Sequence, residues 1–84
     1  MREMKYFVYI LECADKTFYT GITNDLKKRL KDHADLKAGA KYTKSRRPVR
    51  LVYSEVWENK NLALKREASI KLLTHQGKLT LITK

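Results

Sequence analysis

Residues 5–33 read KYFVYILECADKTFYTGITNDLKKRLKDH, and this stretch decides the fold. Two apolar runs, Tyr6-Phe7-Val8-Tyr9-Ile10-Leu11 and Thr17-Phe18-Tyr19-Thr20-Gly21-Ile22, are rich in aromatic and β-branched residues and bounded by charged ones. Such runs are strand signals. The break at Cys13-Ala14-Asp15-Lys16 leaves room only for a tight connection, which predicts an antiparallel hairpin. Side chains alternate between faces along a strand. A connection with an odd number of residues therefore sets Tyr9 and Tyr19 on one face, and a two-residue turn sets them on opposite faces. No Asn-Gly or Asp-Gly pair demands the short turn. Two facing tyrosines are, by themselves, an ordinary cross-strand aromatic pair.

Downstream, Thr23-Asn24-Asp25 offers a helix N-cap with an acid in the first turn, and Leu26, Leu30 and Ala34 make an apolar stripe. With Leu26 at zero, Arg29 falls at about −60° and His33 at about −20° around the helix. Lys27, Lys28, Lys31, Asp32 and Asp35 take the far side. Arg29 and His33 thus point towards the sheet. An inward arginine needs a partner: it snorkels to water or meets an acid such as Glu12, Glu55 or Glu67. Gly39 is placed to close the helix. The loop Lys41-Tyr42-Thr43-Lys44-Ser45-Arg46-Arg47-Pro48 follows. Its bases Lys41, Lys44, Arg46 and Arg47 suit phosphates and Tyr42 suits base stacking, although a well-solvated loop has the same composition.

Val49 to Trp57 predicts a third strand, with Val49, Leu51 and Tyr53 on one face and Val52 and Val56 on the other. Glu58-Asn59-Lys60-Asn61 is a turn and cap, and Leu62 to Thr74 a second helix, apolar on more than one side and so expected deep in the fold. Glu67 lies between Ala63 and Ile70 at the rim of an apolar stripe, either as a surface partner of Lys71 or as a working carboxylate. The pattern leaves Leu79, Leu81 and Ile82 open between a short helix and an edge strand.

The 84 residues suit one small domain over 1–84. Cys13 is the single cysteine, which excludes an internal disulfide and fits a reducing cytoplasm. It has no evident base to make it a nucleophile. No signal peptide is visible, and the first apolar run is far short of the roughly 20 residues that span a bilayer as a helix. His33 and His75 stand apart, there is no zinc spacing, and no glycine-rich phosphate loop is present. Nineteen Lys and Arg against nine acids give a net charge of +10, which points to a polyanionic partner, nucleic acid before membrane.

The order is then a tyrosine on strand one, Tyr-x-Gly on strand two, Arg and His on a helix, and a later helical Glu. This resembles the GIY-YIG nuclease superfamily, in particular its small single-domain (URI-type) members. The name-giving tripeptides stand as Phe7-Val8-Tyr9 and Tyr19-Thr20-Gly21, Arg29 follows at the family's distance, and Lys65-Arg66-Glu67-Ala68 carries the carboxylate. Gly39-Ala40-Lys41-Tyr42-Thr43 and Arg46-Arg47-Pro48 resemble the subgroup further. Phe7 and Val8 replace the first glycine and isoleucine, and Ile22-Thr23 stands where some relatives have a lysine.

The resemblance implies an α/β (α+β) fold, a three-stranded antiparallel sheet flanked by helices. It implies a metal-dependent endonuclease acting on DNA, or less expectedly RNA. With room for no separate recognition domain in 84 residues, low sequence specificity and selection by nucleic-acid structure are expected. In those terms Glu67 holds Mg²⁺ (or Mn²⁺), Arg29 neutralises phosphoryl charge, and Tyr9 is the general base, with Tyr19 binding phosphate or sharing the proton. A tyrosine pKa of about 10 is too high for that task unless the metal, Arg29 or a loop lysine lowers it. His33 is the alternative base, needing no shift. The rival reading is a non-catalytic nucleic-acid-binding module, against which Glu67 argues, since anion binding needs no acid. A protein-interaction domain leaves Arg29 unexplained. Oligomeric state is left open.

Overall fold

The hairpin consists of β1 (Tyr6–Glu12) and β2 (Phe18–Thr23), and α1 (Leu26–Ala34), β3 (Arg50–Trp57), α2 (Lys60–Lys71) and α3 (His75–Ile82) follow it in the chain. This is a computed structural model, and it describes residues 5–34 and 46–83. The strands form one antiparallel sheet in the order β2-β1-β3, so the expected α+β architecture is present. The chain from Cys13 to Thr17 connects the hairpin, an odd-length loop. Asp15 Oδ1 accepts from the Thr17 amide at 3.2 Å and the Thr17 hydroxyl at 2.6 Å, and Lys16 sits at φ 70°, the left-handed conformation the turn requires. The resulting register pairs Tyr9 with Gly21 and Leu11 with Tyr19. Tyr9 and Tyr19 therefore share a face, as the odd loop dictates.

The two faces do different work. Val8 and Ile10 point to the face covered by α2 and α3, where they meet Ala63 and Ile70, with Phe18, Ile22, Tyr53, Trp57, Leu81 and Ile82 packed around them. This is the hydrophobic core. The opposite face carries Phe7, Tyr9, Leu11, Tyr19 and Gly21 and receives Arg29 and His33 from α1. Asp25 caps α1, its Oδ1 accepting from the Lys28 amide at 3.1 Å. The acid expected in the first turn is thus the cap itself.

Three expectations give way. The β1–β3 register shifts between Ile10 and Leu11, so Ile10 pairs with Tyr53 but Leu11 with Leu51. The bulge at Val52 puts Leu51 and Tyr53 on opposite faces and Val52 in the core, while Val56 is left exposed. Strict alternation, read from sequence, has no means of placing the extra residue. The second helix ends at Lys71, because Thr74 caps a separate α3, its hydroxyl accepting from the Gly77 amide at 3.0 Å. The tail is therefore helical. Nor is α2 buried on several sides: Leu62, Leu64 and Leu72 are exposed and only Ala63 and Ile70 are buried, because the small Ala63 lets the helix approach the sheet. The expected helix end at Gly39 lies outside the described residues.

Two substitutions test this packing. A Cβ on Gly21 would lie 2.7 Å from Tyr9 Oη and 2.9 Å from Cζ of a fully buried ring. Gly21→Ala is expected to cost about 1–3 kcal/mol in urea denaturation; unchanged or raised stability would show that the ring does not cross β2 there. On the core face the Thr20 hydroxyl is buried without a hydrogen-bond partner among the described residues. Thr20→Val should stabilise by about 1 kcal/mol or more, since it removes an unpaired polar atom at constant shape; destabilisation would mean the hydroxyl has a partner after all.

Candidate active site

Tyr9 comes from the central strand, and its ring reaches over Gly21, where any side chain would block it. Its hydroxyl oxygen lies 2.9 Å from His33 Nε2 and 3.4 Å from Arg29 Nε. Arg29 and His33 are one turn apart on α1, so a single helical face presents both (i, i+4). Tyr19 completes the group, its ring centre 6.3 Å from that of Tyr9 and 5.1 Å from that of His33, in edge-on contact. Four of the five expected catalytic side chains, Tyr9, Tyr19, Arg29 and His33, are thus brought together.

The protons in this cluster can be placed from the electrostatics. Burial raises the Tyr9 pKa above 10.0, and the guanidinium of Arg29 lowers it by less than burial raises it. Arg29 therefore acts in the expected direction and is outweighed. His33 is fully buried, and burial together with the Arg29 charge pushes its pKa below 6.5. At neutral pH the phenol keeps its proton and the imidazole is neutral. With the neutral ring protonated on Nδ1, the Tyr9 hydroxyl donates to His33 Nε2 and accepts from Arg29 Nε. The Tyr9 hydroxyl leads the interactions that hold the Arg29 pKa above its ordinary value, with Tyr19 contributing in the same direction, so the arginine is a permanent cation.

Arg29 differs from expectation in its acid. Glu12 pairs with Arg50 at 2.8 Å and Glu55 with Arg66 at 2.6 Å, while Arg29 pairs with Asp32, 3.9 Å away on its own helix. Asp32 is half-buried rather than on the far side, because residues three apart on a helix are neighbours. Of the expected nucleic-acid contacts, Arg46 is ion-paired to Asp15 at 3.1 Å, and its carbonyl accepts from the Ala14 amide at 2.9 Å, so it also fastens the hairpin loop. Arg47 is half-buried. Lys41, Tyr42 and Lys44 lie outside the described residues.

Glu67 projects from α2 between the buried Ala63 and Ile70, with 18 % of its side chain exposed. Its negative charge reaches Tyr9, where it opposes ionisation of the phenol. It is paired with Lys71 at 3.4 Å, so the surface-partner alternative is realised in part. Among the described residues no three His, Cys, Asp or Glu side chains come together as a metal cage. A single half-buried carboxylate fits Mg²⁺ or Mn²⁺, which keep several waters and take phosphate oxygens; it does not fit zinc. No helix among the described residues is long and apolar enough to cross a membrane.

Sequence reasoning missed the role of Glu55. It accepts from Tyr53 Oη, from Trp57 Nε1 at 2.9 Å and from Arg66 Nε at 2.6 Å, fastening α2 to β3. The alternation Tyr53-x-Glu55-x-Trp57 was its one available signal.

Comparison with known proteins agrees with this fold. A protein called UPF0213 from Syntrophus aciditrophicus is 56% identical over 78 residues, covering 93% of this chain and 90% of that protein. Its namesake in Staphylococcus aureus is 53% identical over 77 residues, covering 92% and 93%. Two solution NMR structures share the fold. The UPF0213 protein BH0048 of Bacillus halodurans has 44% identity and a TM-score of 0.62 over 95% of this chain and 84% of that one. The protein EF2693 of E. faecalis has 36% identity and a TM-score of 0.66 over 98% and 88%. The family model described as the GIY-YIG catalytic domain matches residues 5–80, the span holding all five site residues, and the chain belongs to the GIY-YIG family.

Proposed function

We propose that this protein is a metal-dependent endonuclease that hydrolyses phosphodiester bonds of DNA (or RNA), selecting its target by nucleic-acid structure. The observation that carries the proposal is the meeting of His33 Nε2 and Arg29 Nε at one phenol oxygen, that of Tyr9. A general base must accept a proton from water as the water attacks phosphorus. Tyr9 does so without first becoming a phenolate: its oxygen takes the water's proton while its own passes to the neutral His33 Nε2. The choice between Tyr9 and His33 as base becomes a division of labour, one touching the water and the other receiving the charge.

Arg29 has 35 % of its side chain exposed, whereas Tyr9 and His33 are fully buried, so the phosphate meets Arg29 first. Reaching the Tyr9 hydroxyl requires the side chains above it to move. The fork of Arg29 suits two phosphoryl oxygens, and its charge opposes the negative charge that builds on them. Tyr19, half-buried on the same face, is placed to hold a phosphate oxygen. A divalent cation on Glu67 would supply Lewis-acid polarisation of the phosphate and charge for the departing oxygen. The +10 charge supports a polyanionic substrate, and the single cysteine a cytoplasmic setting.

The test uses purified protein with duplex, branched and single-stranded DNA and RNA, in Mg²⁺ or Mn²⁺ against EDTA. Glu67→Gln should lower cleavage on the order of 10²- to 10³-fold while metal-free binding stays equal or tightens. Arg29→Ala should weaken both. Cleavage at the wild-type rate by Glu67→Gln would refute the metal assignment. A wild-type protein that binds but never cleaves would favour the binding module, in which the Glu67–Lys71 pair is purely structural.

The proton path also fixes a pH dependence. His33 must be neutral to receive a proton, and its folded pKa is depressed, so the competent form prevails above the ordinary value of 6.5 and persists somewhat below it. Activity at constant metal should be level from pH 8 to about 6.5 and fall on the acid side as His33 protonates. The same protonation should destabilise the fold, since the unfolded state binds the proton more readily. An acid limb centred above pH 7 would contradict this path.

A further inference from the structure

Of the half-buried carboxylates on the sheet and α2, Glu55 and Glu67 are held in very different ways. Glu55 is locked by three donors, the closest ion pair being Arg66 at 2.6 Å. Glu67 lies one residue after Arg66 and is held by one ammonium, Lys71 Nζ, at 3.4 Å across a helical turn. The Lys71 side chain is 56 % exposed, against 18 % for that of Glu67. The acid is therefore fixed against the sheet, and its counter-charge rides on a flexible stem in water. A lysine in this position is a hydrated point charge that leaves easily, unlike the planar fork of an arginine. A pair with one partner in solvent is held only weakly.

Without a counter-charge, Glu67 would add its repulsion to a site that must receive a phosphate. With a strong one, it would be closed to a cation. The charge of Glu67 acts on Tyr9 in the direction that opposes ionisation, the smallest of the influences on that phenol. We propose that Lys71 is the exchangeable counter-ion of Glu67: it neutralises the carboxylate in the metal-free protein and yields it to the divalent cation. This rests on the reading that Glu67 holds the metal. Lys71 is thus a positioning residue, acting through Glu67. Once displaced, its ammonium repels the cation that replaced it, so the residue lowers metal affinity by two routes of the same sign.

Direct binding of Mg²⁺ alone, without nucleic acid, tests this. Mg²⁺ is titrated at constant ionic strength while the amide NMR signals of α2 are followed. Lys71→Gln should tighten Mg²⁺ by about two- to fivefold, the range a surface ion pair allows. Lys71→Arg should not tighten it. Lys65→Gln, which removes the same charge from the same helix away from the pair, should have at most a small effect. Glu67→Gln should abolish the binding, alone or combined with Lys71→Gln. Unchanged or weaker binding in Lys71→Gln, with Glu67→Gln still abolishing it, would overturn the exchange and leave the metal assignment standing. Equal tightening by Lys65→Gln and Lys71→Gln would also overturn it, reducing the effect to general charge. Wild-type-like Mg²⁺ binding by Glu67→Gln would overturn both.

Discussion

A phenol laid across a strand that has no side chain beneath it is the constraint on which the site depends. Tyr9 is fully buried on the central strand, and its oxygen reaches His33 and Arg29 because Gly21 leaves the space open. The hairpin register creates that opposition, and the odd length of the Cys13–Thr17 connection creates the register. A one-residue slip would turn Tyr9 into the core and Val8 and Ile10 out of it. The hydrophobic core and the polar cluster therefore enforce each other: the apolar set on one face fixes which residues stand on the other.

The cluster's charges follow from the same burial. Desolvation makes the phenol a weaker acid and the imidazole a weaker base, so the pair rests neutral and the one permanent charge among the four side chains is Arg29. A neutral relay suits a site that receives an anion, because it adds no negative charge until the reaction begins. An already ionised Tyr9 would repel the phosphate it serves. Glu67 brings the negative charge a cation needs, from a separate helix fixed by its own stripe of Ala63 and Ile70 and by the Glu55–Arg66 link.

Much of this was legible in the residues because the deciding signals are local. Strand alternation, a cap within Thr23-Asn24-Asp25 and the phase of Arg29 and His33 each need only a few neighbouring positions. The failures share a cause as well. The Val52 bulge, the partner of Arg29 and the exposure of Leu62, Leu64 and Leu72 depend on which surfaces meet in space. Leucine periodicity suggested a deeply buried α2; instead the small Ala63 sets the approach, and the leucines point outward. The helical angle of Asp32 points it to solvent, yet three residues from Arg29 it is a neighbour. The triple acceptor Glu55 joins residues from a strand and a helix, and periodicity within either element does not reveal it.

The central claim is that Tyr9 rests as a neutral donor to a neutral His33, and the ring nitrogens of His33 report this directly. Long-range proton–nitrogen correlation on ¹⁵N-labelled protein at pH 7 distinguishes an imidazolium from each neutral tautomer. The expected result is a neutral ring protonated on Nδ1, with Nε2 showing the shift of a hydrogen-bonded acceptor that changes in Tyr9→Phe. A charged ring, or a neutral one with its proton on Nε2, would contradict the account, because the phenol would then have no acceptor for its proton.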